Sequence, residues 1–259
     1  MILDKITEQR KIQLAREMSE TPFEEVKKAA LSISRQCIGF GAALKKDTLS
    51  VISEVKKASP SKGLIQPNFD YMKIAAEYEQ NGANAISCLT EEHFFMGSSV
   101  YFKEIRGRVN IPMLRKDFII DPYQIYEART MGADAILLIA AILDDDKLRE
   151  YKDIAKSLGM DILAEVHDET ELERVLAADF NIVGINNRNL KTFEVTLDTT
   201  ARLAKLIPSG KVIVSESGIK DNGDMKMVRS CGADAVLVGE TLMRSGNIGG
   251  TLKALRDGV

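Results

Sequence analysis

Histidine and cysteine are scarce in this sequence. His93 and His167 are far apart, and Cys37, Cys88 and Cys231 are odd in number, with no C-x-x-C pair among them. The usual zinc spacings are therefore excluded, no metal and no cofactor is expected, and the cysteines read as reduced core thiols. Both histidines read as incidental. Long apolar runs are missing too: the opening MILDKITEQRK mixes charges through its first turns, and nothing approaches the roughly 18 uncharged apolar residues of a membrane span. No secretory signal and no membrane partner is expected, and the reading is cytoplasmic. Nor is there a large charge of one sign. The net charge is −3 with a pI near 5.6, and Lys and Arg are scattered, so there is no basic field to gather nucleic acid.

What is present is a repeat. NGANAISCLT from Asn81, MGADAILLIA from Met131 and CGADAVLVGE from Cys231 resemble one another, with glycines at 82, 132 and 232. In each, a helix-like pattern ends at glycine, which suits the left-handed position after a helix, and an apolar run begins three residues later. Weaker copies start at Ser157 and Ala177. Eight short runs, SVISEV, NAISCL, IPMLR, DAILLIA, DILAEV, NIVGIN, KVIVS and DAVLVG, are apolar on both faces, as parallel strands enclosed by helices must be. Helix starts between them include Asp70, Asp121 before Pro122, and Asp168 with Glu171 as a capping box.

At 259 residues the chain matches the roughly 250 of one eight-stranded α/β barrel. The fold class expected is α/β, a (β/α)8 TIM barrel forming a single domain, because closure leaves no strand edge unpaired. An open doubly wound sheet is the alternative. Residues 1–47 form an N-terminal helical extension and 48–259 the barrel. Within the extension, residues 2–17 and a segment opening Thr21-Pro22-Phe23-Glu24, read as a capping box with proline at the first helical position, predict two extra helices.

In such a barrel the active site lies at the C-terminal strand ends. Those ends carry Glu54 and Lys56, then Arg115-Lys116-Asp117, Glu165, Asn186 with Arg188, and Glu216-Ser217. Gly218 and Gly239-Glu240 follow the last two strands, where backbone N–H groups frequently hold phosphate. Ser59 lies in a polar loop, residues 56–63, that can close over the mouth. Phe95 and Phe118 supply an aromatic side to the pocket.

Together, Glu54-Val55-Lys56-Lys57-Ala58-Ser59-Pro60-Ser61, Leu89-Thr90-Glu91 through Ser98, Leu114-Arg115-Lys116-Asp117-Phe118-Ile119, Glu165-Val166-His167, Gly184 to Leu190, Ser215-Glu216-Ser217-Gly218-Ile219 and Gly239-Glu240 resemble indole-3-glycerol phosphate synthase. The likeness spans the chain. It implies conversion of 1-(2-carboxyphenylamino)-1-deoxyribulose 5-phosphate to indole-3-glycerol phosphate, carbon dioxide and water in tryptophan synthesis, by a carbon-carbon lyase. By resemblance, Lys116 is the general acid of ring closure, Glu165 the second acid/base group, and Lys56 the partner of the substrate carboxylate and phosphate. Glu54, Asn186, Glu216 and Ser217 orient them. Arg188 holds an anionic group, Ser59 contacts substrate, and Phe95, Phe118, Leu137, Leu190 and Leu237 line the ring pocket. Backbone at Gly218, Gly239 and Glu240, with Lys56, holds phosphate.

Arg115 and Lys56 are expected to lower the pKa of Lys116 towards neutrality. Met96 and Glu240 depart from the usual pattern, and a carboxylate at the phosphate loop has to point away from a dianion. A phosphoribosylanthranilate isomerase, or a barrel that only binds phosphometabolites, are the rivals. The partner expected is a small phosphorylated substrate, and the assembly a monomer or weak homodimer.

Overall fold

A parallel strand buried on both faces needs apolar side chains pointing each way, and the eight runs provide them. In the computed structural model, which describes residues 2–259, the runs become β1 (Ser50–Val55), β2 (Ala85–Leu89), β3 (Met113–Lys116) and β4 (Ala135–Ile139), followed by β5 (Asp161–Val166), β6 (Ile182–Asn186), β7 (Val212–Glu216) and β8 (Ala235–Val238). Each pairs in parallel with the next, and β8 returns to β1, so the sheet is closed. The open doubly wound alternative is thereby overturned. Inward residues, among them Ile52, Leu114, Leu163, Ile182, Val214 and Leu237, pack on one another inside the barrel. Their outward neighbours, such as Val51, Ile86, Ile136, Ala164 and Val236, pack against the surrounding helices.

Three helices precede β1: α1 (Ile2–Glu20), α2 (Phe23–Leu31) and α3 (Phe40–Leu44). The others are α4 (Tyr71–Gln80), α5 (Ser99–Arg106), α6 (Pro122–Thr130), α7 (Asp145–Ser157), α8 (Glu169–Ala177), α9 (Asp198–Leu203), α10 (Asn222–Ser230), α11 (Glu240–Arg244) and α12 (Ile248–Leu255). Asp70, Asp121 and Asp168 cap α4, α6 and α8 as their sequences suggest. The glycines at 82, 132 and 232 are left-handed, with φ of 81°, 82° and 96°. Among the described residues, no helix is long and apolar enough to cross a membrane.

Several local expectations need correction. Thr21 does not cap α2: Pro22 occupies that position, no side chain caps the helix, and the Pro22 carbonyl accepts from Glu25 and Val26. Glu171 does not complete a capping box with Asp168, because its carboxylate turns to the His167 backbone N–H, one residue earlier, at 2.8 Å. Of the three thiols only Cys88 is buried, while Cys37 and Cys231 are partly exposed. α1 runs three residues beyond 17, and α3 has no counterpart in the sequence reading, being a single short turn without a capping side chain.

That third helix closes the bottom of the barrel. Phe40 and Leu44 are fully buried in the interior cluster, and the Gly41 N–H donates to Asp161 at the start of β5. α1 lies over the opposite end. Its Arg10 is completely buried, donating to Asp117 at 3.1 Å and to Glu17 at 2.9 Å. Asp117, just past β3, also accepts from Arg115 and from the Thr90 hydroxyl.

Burial works to raise the Asp117 pKa, but Arg10 and Arg115 outweigh it and hold the carboxyl below its ordinary value. Its contribution to stability is thus present above the unfolded carboxyl value and is lost as pH falls through the depressed folded one. Asp117→Asn removes the carboxylate that two buried guanidinium groups share, leaving Arg10 with Glu17 alone and Arg115 with Glu127 alone, and the expected loss in urea denaturation is about 3–5 kcal/mol. A loss below about 1 kcal/mol, the size of an exposed pair, would remove this account of how α1 is fastened.

Candidate active site

Side chains two apart on a strand share a face, so each inward apolar series continues into whatever residue ends the strand. On β1 the series Ile52 ends in Glu54 and Lys56. On β3, Leu114 leads to Lys116; on β5, Leu163 to Glu165; on β6, Ile182 through Gly184 to Asn186; and on β7, Val214 to Glu216. These side chains project into one cavity of about 670 Å³ at the C-terminal mouth. The other residues singled out from sequence line it as well: Ser59, Phe95, Phe118, Leu137, Arg188 and Leu190, then Ser217, Gly218, Leu237, Gly239 and Glu240.

Lys116 Nζ sits 3.1 Å from Glu165 Oε2 and 2.9 Å from Glu216 Oε2. Asn186 donates to the other Glu165 oxygen at 3.2 Å. Lys56 and Glu54 form a second pair at 2.5 Å. Two glycines make room for this cluster. A Cβ at Gly184 would overlap Glu216 Oε1, and one at Gly239 would overlap Glu54 Oε2 and crowd Lys56 Nζ. Gly239 thus serves close approach, whereas Gly218, at φ 96°, supplies a left-handed turn together with Ser217 at φ 66°.

The electrostatics overturn one expectation. Burial acts to lower the Lys116 pKa, but Glu165, Glu216 and Glu54 dominate and raise it well above the ordinary lysine value. Arg115 cannot oppose them, because the next residue on a strand faces the other way. It donates to Thr90 and to the Gln124 carbonyl, and pairs with Asp117 and Glu127 in the barrel wall. Burial acts to raise Glu165, yet Lys116, His167 and Asn186 hold it well below its usual range. Glu216 goes the other way, pushed up to about 7 by burial and by the charges of Glu165 and Glu54, against the pull of Lys116.

His167 is not incidental. Its Nε2 lies 3.3 Å from Glu165 and its Nδ1 3.0 Å from Glu171, and against the effect of burial these carboxylates push its pKa up to about 10. A histidine two residues after a strand-end carboxylate, four residues before another on the following helix, was the available signal.

The rest of the chamber is apolar or anion-facing. Phe95 and Phe118 stand 5.9 Å apart between ring centres. The loop carrying Phe95 is wound around the buried Glu91 carboxylate, which accepts from the backbone of His93, Phe94 and Phe95. Sequence gave no cue that Glu91 works in this way. Met96 is left-handed at φ 52°, 41% exposed and outside the cavity lining, so its departure from pattern does not reach the site. Glu240 is engaged by Arg244 at 3.1 Å and approached by Lys62 at 3.8 Å. Lys62, Lys220 and Arg244 line this end of the cavity, and Ile2, Leu3 and Ile6 of α1 line the mouth. The polar loop after β1 folds into a hairpin, Ala58–Ser59 against Gly63–Leu64. Among the described residues, no group of three or more His, Cys, Asp or Glu is arranged to hold a metal ion.

The Glu216 shift has a thermodynamic consequence. A carboxyl raised on folding contributes stability below its unfolded value, and loses it as pH rises through about 7. Unfolding free energies from about pH 5 to 8 should therefore fall in the unaltered protein relative to Glu216→Gln, whose amide cannot ionise. Parallel profiles for the two proteins would contradict the shift.

Residues 3–255 match the family model described as indole-3-glycerol phosphate synthase. The indole-3-glycerol phosphate synthase of Ruminiclostridium cellulolyticum is 52% identical over 257 residues, 99% of each chain. That of Alkaliphilus metalliredigens is 50% identical over 260 residues, 100% of this chain and 99% of the relative. Among solved structures, 3-hexulose-6-phosphate synthase from Salmonella typhimurium aligns with a TM-score of 0.67 at 14% identity, covering 81% of this chain and 97% of that one. KGPDC from Streptococcus mutans aligns at 0.63 and 13% identity, covering 82% and 97%. These two likenesses carry the barrel fold alone. The full-length matches, at half or more of all positions, carry more: the chain belongs to the indole-3-glycerol phosphate synthase family.

Proposed function

We propose that Lys116, held between Glu165 and Glu216 at the cavity floor, is the general acid of the family's ring closure, with Glu165 as the acid/base group of the step that follows. Family membership makes the chain a carboxy-lyase of tryptophan biosynthesis acting on a phosphorylated substrate. In this reading the aromatic ring of 1-(2-carboxyphenylamino)-1-deoxyribulose 5-phosphate lies against Phe95, Phe118, Leu137, Leu190 and Leu237. Its phosphate rests on the backbone at Gly218, Gly239 and Glu240. Lys56 and Arg188 meet the anionic groups, and Ser59 closes over them from the loop after β1.

Ring closure needs an aromatic carbon to attack the ketone carbon, and negative charge then develops on the ketone oxygen. Lys116 arrives protonated, since its carboxylate neighbours favour the ammonium form. An alkoxide is more basic than a lysine amine, so a raised lysine pKa does not prevent donation at that moment. Loss of carbon dioxide returns the electron pair of the broken bond to the ring. Glu165 then takes a proton from the neighbouring carbon and gives it to the hydroxyl, which leaves as water. Glu54, Asn186, Glu216 and Ser217 fix the donors and the sugar hydroxyls, which confines the reacting groups to one geometry. A cytoplasmic monomer or weak homodimer completes the reading.

The observation that carries it is the contact of Lys116 with two buried carboxylates, beside room for a substrate. An isomerase reading gains nothing from Cys88, which packs outward among the helices. Mixing the substrate with purified protein should produce indole fluorescence. Lys116→Ala should cut kcat by about 10²–10⁴-fold or more while a ketone-reduced substrate analogue still binds. Undiminished turnover in that variant removes Lys116 from the acid role. Gly184→Ala, which touches no substrate, should displace Glu216 and lower kcat about tenfold or more. Its stability should drop by about 1–3 kcal/mol. Normal kcat there would mean that the position of Glu216 is unimportant.

A further inference from the structure

The proposed reaction consumes one proton in each turnover. The substrate carboxylate leaves as neutral carbon dioxide, and the proton given to the ketone oxygen is not returned. In the dehydration, the proton taken by the base offsets the one that leaves with the hydroxyl. Lys116 is thus left neutral, buried against carboxylates, and has to be recharged.

Two side chains outside the expected machinery, His167 and Glu171, continue a line that runs from Lys116 through Glu165. Lys116 Nζ is 3.1 Å from Glu165 Oε2, Glu165 Oε1 is 3.3 Å from His167 Nε2, and His167 Nδ1 is 3.0 Å from Glu171 Oε2. His167 and Glu171 do not line the cavity. Each keeps a small exposed edge, 12% and 16% of its side chain. His167 is also fixed in place, because Glu171 Oε2 accepts its backbone N–H and Asp168 caps the helix bearing Glu171. The imidazole Nε2 is buried and, among the described residues, makes no hydrogen bond, Glu165 Oε1 at 3.3 Å being the acceptor it faces.

We propose that Glu171, His167 and Glu165 form a proton-return line that recharges Lys116 from solvent between turnovers. This rests on the acid role given to Lys116 above. His167 transfers its Nε2 proton to the Glu165 carboxylate at Oε1, and as the carboxyl group turns about its last bond that proton passes to the neutral Lys116 amine, leaving Glu165 a carboxylate again. The imidazole, still protonated at Nδ1 towards Glu171, then recovers its second proton from water at its exposed edge. Charge and protons balance, with one proton drawn from solvent for each carbon dioxide released. The charged groups facing His167 are Glu165 on its own strand and Glu171 on α8, with Lys116 of β3 the next one inward through Glu165. With His167 near 10 and Lys116 above the ordinary lysine value, the transfer runs downhill and the imidazole is loaded at neutral pH. His167 is in this sense a positioning residue for protons, not a catalytic residue.

Rapid mixing separates this role from a structural one. In His167→Gln the amide still reaches Glu165, but the line is cut. The first equivalent of product per enzyme should form at the unaltered rate, and later turnovers should be about 10–100-fold slower. Exogenous imidazole should restore the later turnovers in His167→Ala. Glu171→Gln, at a residue that does not line the cavity, should give the same two-phase pattern. Later turnovers at the unaltered rate in both Gln variants, or a first turnover slowed as much as the later ones, would overturn the proposal. The unaltered chain run alongside reports on the acid role itself, so failure of the line and failure of the reaction assignment give different results.

Discussion

An ammonium group taken out of water is tolerated only where opposite charge replaces the solvent, and Lys116 meets that condition through Glu165 and Glu216. Most of the architecture around the mouth follows from this pair of contacts. Glu216 comes from β7, directly across the barrel from β3, and Glu165 from β5, a quarter of the way round, so the closed sheet is what brings them together. Glycine at 184 opens the space that Glu216 occupies. Asn186 and His167 share the remaining oxygen of Glu165. Lys56, Lys116 and a protonated His167 offset the carboxylates beside them, of which Glu216 is pushed up to about 7, and Lys62, Lys220 and Arg244 line the rim.

The two ends of the barrel are closed by different physics. At the bottom, Phe40 and Leu44 act as an apolar stopper, needing only shape and burial. At the top, α1 is held by the buried Arg10–Asp117 contact, which is directional and leaves Ile2, Leu3 and Ile6 over the mouth without filling it. An apolar plug at both ends would leave no chamber.

Much of this could be read from sequence because it is local. Strand runs, capping aspartates and left-handed glycines announce themselves within a few residues, and the inward series on each strand points at its own terminal side chain. Arg115 illustrates a misreading of evidence that was available: its adjacency to Lys116 places it on the opposite face, so proximity along the chain meant separation in space. α3 and the Arg10 clamp were illegible for another reason. Each depends on partners distant in sequence, such as Asp117, 107 residues from Arg10, and no local pattern encodes them. His167 fell between the two cases, since its neighbours were visible but their orientation was not.

The two glycines that accommodate carboxylates carry a further implication for how such a barrel can vary. Glu216 on β7 lies in the space above Gly184 on β6, and Glu54 on β1 in that above Gly239 after β8. Neither glycine tolerates a side chain while its carboxylate stays. Drift at the glycines therefore waits on an exchange of the carboxylate from the adjacent strand, and glycine and carboxylate are inherited as interlocked couples, not as independent sites.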